Sequence, residues 1–165
     1  MNLVYGASAV VAVVATVMVI TRRDAVHALL YLVVSLLAVA VIMLMLGAAF
    51  VAALEVIIYA GAIMVLFVFV IMLIGPRNDT VSARTWIGPV ILALILLAEI
   101  VYIILGGVTP SPLATKEVPP KQVGIALLGP YLIAVEVTAF LLLSGLVGAF
   151  HLGRRLAVSL GRKGD

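Results

Sequence analysis

Val51-Ala-Ala-Leu-Glu55-Val-Ile-Ile-Tyr59-Ala-Gly61-Ala-Ile-Met-Val65-Leu-Phe-Val-Phe-Val-Ile-Met-Leu-Ile74 is the stretch on which the reading of the chain turns. The hydrocarbon core of a bilayer is ~30 Å thick, and roughly 20 apolar residues at ~1.5 Å rise cross it as a helix. The stretch meets that length with a single charged residue, Glu55. Tyr59 follows one helical turn later on the same face. The small run Ala60-Gly61-Ala62 comes next, ahead of an unbroken apolar segment from Ile63 to Ile74. Lipid does not favour that combination. A carboxyl in hydrocarbon is costly whether ionised or neutral, so it turns to protein or water, and a mid-helix glycine leaves the backbone unshielded. The pattern is expected of a helix that changes shape rather than of a plain anchor.

The rest of the chain is of the same kind. Of its 165 residues, 66% are hydrophobic and 10% charged, too little polar surface to cover a soluble domain. The expected fold class is an all-α polytopic membrane protein. With no cysteine, disulfides, iron-sulfur clusters and thiolate zinc sites are excluded, and no redox centre is expected in the chain. There is no glycine-rich nucleotide loop either. The net charge of +3 reads as topology rather than nucleic-acid binding. Met1 to Ile20 has no Lys or Arg ahead of its apolar run, so it is expected to be a retained first span and not a signal peptide.

Five transmembrane helices are predicted, over about 3–20, 26–46, 51–74, 86–107 and 124–150, within a single membrane domain 1–165. Gly47-Ala48-Ala49 makes an uncharged turn, and Gly75-Pro76 stops the third span before a polar loop with Arg77, Asp79 and Arg84. Trp86 and the first-turn Pro89 open the fourth span, which fades at Gly106-Gly107. An outer loop 108–122 and a cytoplasmic tail 151–165 complete the chain. Pro130 either starts the last spanning helix or kinks it after one turn. Eight basic residues, Arg22, Arg23, Arg77, Arg84, Arg154, Arg155, Arg162 and Lys163, fall on one side against two, Lys116 and Lys121, on the other. That bias puts the N-terminus in the periplasm and the C-terminus in the cytoplasm. Small residues at Ala12 and Thr16, Ser144 and Gly148, and Gly145 and Ala149 recur four apart, the spacing of close helix packing.

Three carboxyls lie inside spans: Glu55, Glu99 and Glu136. No Lys or Arg sits at matching depth, so each is protonated or paired with another subunit. Such groups exchange protons, which makes Glu55, with Tyr59 placed to hydrogen-bond it, the leading proton-path candidate. Glu99 and Glu136 are weaker candidates, read as carboxyls that hydrogen-bond across a helix pair, and Tyr102 near Glu99 as an interfacial aromatic. His27 and His151, on different helices and without a supporting carboxylate, are not read as a metal or haem site.

Several segments together resemble one family. They are Val26-His27-Ala28-Leu29-Leu30-Tyr31, the run from Glu55 through Tyr59, Gly61 and Val65 to Phe69, Gly129-Pro130-Tyr131 with Ala134-Val135-Glu136, and Gly148-Ala149-Phe150-His151. The chain resembles the J-type membrane subunit of bacterial proton-pumping NADH:quinone oxidoreductase, respiratory complex I, the counterpart of mitochondrial chain 6. The resemblance covers nearly the whole chain. It implies an inner-membrane subunit of a translocase, not catalytic alone, that packs against the quinone-site membrane subunit and the K-type subunit. FMN, iron-sulfur clusters, NADH and quinone would belong to the parent complex. It also implies a π-bulge in the third helix, near Tyr59 and Gly61, whose conversion to α-helix opens or closes a water path. Tyr59, Gly61 and Val65 are the helix-switch candidates; no catalytic, cofactor-binding or metal residue is expected in this chain. A small secondary transporter or antiporter subunit using Glu55, and an inert scaffold, are the alternatives; no inverted repeat supports the transporter.

Overall fold

The computed structural model describes residues 2–22, 24–74, 86–107 and 117–161, and among them every regular element is a helix. In chain order these are α1 (Asn2–Thr21), α2 (Ala25–Met45), α3 (Ala49–Glu55), a π-helical segment (Val56–Ile63) and α4 (Met64–Ile74). Then come α5 (Ile87–Tyr102), which closes in a wide turn (Ile103–Gly107), α6 (Pro120–Leu128) and α7 (Leu132–Gly161). Five stretches are long and apolar enough to cross a membrane: Val4–Thr21, Ala25–Met45, Ala49–Ile74, Ile87–Gly106 and Leu132–Arg154. The chain is an all-α polytopic membrane protein. Arg23, the stop at Gly75-Pro76, the polar loop with Arg77, Asp79 and Arg84, Lys116, Arg162 and Lys163 lie outside the described residues.

Local chemistry sets the helix ends. Asp24 caps α2 in extended conformation (φ −88°, ψ 120°), its side chain accepting the Val26 N–H at 3.0 Å. At the other end Gly47 takes φ 83°, a left-handed conformation that glycine reaches without Cβ strain. Its N–H bonds Leu44 O at 3.1 Å while the Ala48 N–H bonds Met43 O at 3.0 Å, the paired closure of a Schellman cap. That cap turns the chain directly into α3, and the Gly47 carbonyl then accepts the Val118 N–H at 3.1 Å. Pro89 lies in the first turn of α5, where its missing N–H leaves no intrahelical bond unmade. Gly106, at φ 79°, ends that helix.

Gly129-Pro130-Tyr131 separates α6 from α7. The Tyr131 N–H bonds Ala126 O at 3.1 Å and the Leu132 N–H bonds Gly129 O at 3.2 Å, so the break is hydrogen-bonded across the proline. Of the two expectations for Pro130, the spanning helix begins just after it. Two boundaries differ from the sequence expectation. Helix α6 starts at Pro120, inside the stretch expected as loop, and α7 continues to Gly161 through the stretch expected as tail. Leu152, Leu156 and Leu160 recur every four residues there, a helical period that the basic residues mask in a simple hydropathy reading.

The chain forms two compact units, Met1–Pro119 and Pro120–Asp165. In the first, α2 is central and packs on α1, α3, the π segment, α4 and α5. The core joins Val11 and Ala15 of α1, Val34, Ala38 and Val41 of α2, and Leu96 of α5. Ala15 and Ala38 are fully buried, small side chains that allow close backbone approach. Polar bonds fix the register of α1 on α2: Thr16 donates its hydroxyl to Ala12 O at 2.8 Å and accepts from the Ser35 hydroxyl at 2.8 Å, and Ser35 Oγ stands 3.3 Å from the same carbonyl. The Ala12–Thr16 spacing is therefore part of the packing of α1 on α2.

Candidate functional site

The third span changes hydrogen-bond register midway. The Val56 N–H bonds Ala52 O in the α manner, whereas the Met64 N–H reaches Tyr59 O, five residues back. Between them Val56 to Ile63 wind as π-helix, a rare form that concentrates at functional positions. The residues Ala60-Gly61-Ala62 lie within it and carry little bulk to crowd the wider turn. A Cβ on Gly61 would stand 3.4 Å from the Val56 carbonyl oxygen, at van der Waals contact, so a single methyl fits and branching at Cβ brings further atoms to that oxygen.

Glu55 is the last α-helical residue before the segment, partly buried, and its Oε2 is enclosed without a hydrogen-bond partner among the described residues. Tyr59 is about half exposed and no hydrogen bond joins it to Glu55 in this structure. Bonds that close over five residues displace Tyr59 from its place one turn beyond Glu55, where a regular helix would put it. Past the segment, Val65, Phe67 and Phe69 are exposed, while Met64 is buried.

Glu99 has a different setting. It is buried on α5, and Ser8 of α1, fully enclosed, donates its hydroxyl to Glu99 Oε2 at 2.5 Å. Tyr102 is half exposed and makes no bond to it. Sequence reasoning missed Ser8, whose only signal is a hydroxyl in an apolar span. Glu136 lies early in α7, in the second unit, where the Thr138 hydroxyl two residues on donates to Ala134 O at 2.8 Å.

A third polar group gathers where α2 and α5 begin. His27, buried, donates from Nδ1 to the Asp24 carboxylate and meets Trp86 edge-on, ring centroids 5.7 Å apart at 72°. His27 thus has a supporting carboxylate, contrary to expectation. The signal was available, because Asp24 precedes it by three residues at a helix start. Desolvation pushes the Asp24 carboxyl up, but the bonds from His27 and from the Val26 N–H together outweigh it and hold the group below its ordinary value. Nearby, the Arg22 guanidinium lies 5.6 Å from the Tyr31 ring centroid. Among the described residues no group of three or more His, Cys, Asp or Glu could hold a metal ion.

The architecture defines a class: a multi-pass helical membrane protein with carboxyls inside its spans and a register change in its third helix. Residues 15–152 match the family described as NADH-ubiquinone/plastoquinone oxidoreductase chain 6, to which the chain belongs. It is 49% identical over 155 residues to NADH-quinone oxidoreductase subunit J of Escherichia coli (strain K12), covering 87% of this chain and 82% of that protein. The subunit J of Pseudomonas aeruginosa is 48% identical over 152 residues, 88% of this chain and 92% of that one. Its counterpart from Buchnera aphidicola subsp. Schizaphis graminum is 45% identical over 161 residues, 93% and 98% of the two chains.

Proposed function

We propose that this chain is a membrane-arm subunit of a proton-pumping NADH:quinone oxidoreductase, and that its third helix couples quinone reduction to proton translocation by exchanging π for α register. The observation that carries the reading is the π-helical segment Val56–Ile63 in a member of the chain 6 family. Removing the extra residue from one turn rotates everything beyond it by about 100° relative to what precedes. The Val65 and Phe69 side of α4 then swings past its neighbours, and α4 packs on α2. The same change returns Tyr59 to one turn beyond Glu55, so the α form makes the carboxyl–phenol hydrogen bond that the π form lacks. Glu55 and Tyr59 thereby join and part as the helix switches, which opens and closes a water path at the enclosed Oε2.

The chain holds no redox group in this reading. FMN, iron-sulfur clusters, NADH and quinone are bound by other subunits, and the quinone-site membrane subunit and the K-type subunit are its neighbours. It lies in the bacterial inner membrane with its N-terminus in the periplasm. Purification through an affinity tag on this chain after mild solubilisation tests the assignment. Flavin and iron-sulfur absorbance and NADH:quinone activity are expected to co-elute; elution without flavin and iron-sulfur partners contradicts it and favours a transporter.

A further inference from the structure

Away from the third helix, Ser8 and Glu99 form an enclosed polar pair, 0% and 8% exposed. Ser8 occupies one position on Oε2, while Oε1 is buried with no hydrogen-bond partner among the described residues. Helices α1, α2 and α5 carry no Lys or Arg. Their other titratable groups are Tyr5 on α1, His27 and Tyr31 in the opening turns of α2, and the half-exposed Tyr102 on α5. An ionised Glu99 therefore has one donor for about four lone-pair sites and no described cation on those helices at its depth. A protonated Glu99 with its hydrogen on Oε1 has a buried donor without an acceptor. Each form leaves Oε1 unsatisfied, a condition that buried polar groups rarely keep. One water molecule answers both, accepting from the acid and donating to the carboxylate.

We propose that Glu99, oriented by Ser8 and hydrated at Oε1, is a proton-exchanging group of this subunit distinct from the third helix. In the exchange the O–H bond at Oε1 breaks, the proton joins the water oxygen, and the bonding pair stays on a carboxylate that Ser8 hydrogen-bonds. The reverse step reloads the acid, with no electron transfer. Ser8 is a positioning residue, acting through the carboxyl. Proton exchange at Glu99 requires neither register exchange in the third helix nor quinone coupling.

Infrared difference spectroscopy between acidic and alkaline pH, on the purified assembled complex in H2O and D2O, tests it. The wild-type spectrum should contain a protonated-carboxyl carbonyl band that shifts in D2O and is lost in Glu99→Gln. Ser8→Ala should keep that band at a shifted frequency, because the carboxyl remains and its hydrogen bond is gone, a change that a purely structural role for Ser8 would not produce. A Glu99→Gln spectrum identical to wild type overturns the proposal. Should Glu99→Gln fail to assemble, Ser8→Ala decides alone: a moved band supports the proposal and an unmoved one overturns it.

Discussion

A Cβ on Gly88 would overlap the Tyr31 hydroxyl and lie 3.2 Å from the ring carbon that bears it. Tyr31 is 2% exposed, so the ring has little room to yield, and an added methyl must shift it or move α5 off α2. Overpacking of this kind costs about 1–3 kcal/mol. Gly88→Ala is expected to lower the thermal midpoint of the assembled complex, and Tyr31→Phe in the same chain to restore part of it by removing the closest atom. An unchanged midpoint for Gly88→Ala would mean that the contact does not constrain the pair. Residues of this sort set the limit of what could be read without the structure. Glu55, Glu99 and Glu136 stood out because a charge interrupts an apolar run. The partner of Glu99 did not, since Ser8 is 91 residues away and a bond across helices has no sequence period. Asp24 and His27, three apart, were within reach of local rules and were missed.

Gly47 governs the join between α2 and α3. Its φ of 83° is strained for any residue with a Cβ, by roughly 1–2 kcal/mol, and both Schellman hydrogen bonds depend on that conformation. Gly47→Ala should therefore destabilise the subunit by about that amount, seen as reduced assembly or a lower thermal midpoint, whereas Gly6→Ala, where an added Cβ meets no atom within 4 Å, should not. Equal behaviour of the two variants would remove the cap from the account. The existence of most helices was legible from hydropathy, as were Gly47, Pro89 and Gly106 as boundaries. The π register was not legible in residue pattern, because the third span is apolar around nearly its whole circumference and no face changes phase at Val56. It entered through family resemblance, and the structure gives it a length of eight residues. The continuation of α7 to Gly161 is hidden in the sequence because His151, Arg154 and Arg155 interrupt its four-residue leucine period.

For the whole molecule, the charge bias makes a topological prediction. The chain lacks cysteine, so single cysteines at Ser111 and Ser82, both outside the described residues, can be labelled selectively in this subunit. A membrane-impermeant thiol reagent should reach Ser111→Cys from the periplasm and Ser82→Cys from the cytoplasm; the opposite pattern would invert the orientation. In the proposed function, redox chemistry drives protons only if the third helix exchanges register. Gly61→Val tests it most directly, because a β-branched side chain at the Val56 carbonyl biases the two registers unequally. A bias of ~1.4 kcal/mol changes their ratio about tenfold, enough to disturb coupling without unfolding the chain. The decisive measurement is quinone-linked turnover and proton pumping in proteoliposomes of the assembled Gly61→Val complex, with Gly6→Val as the bulk control. The account predicts normal NADH oxidation by an artificial acceptor, a several-fold fall in quinone-linked turnover and pumping for Gly61→Val, and near-normal values for Gly6→Val. Full pumping by an assembled Gly61→Val complex, or equal damage from both substitutions, would contradict the switch.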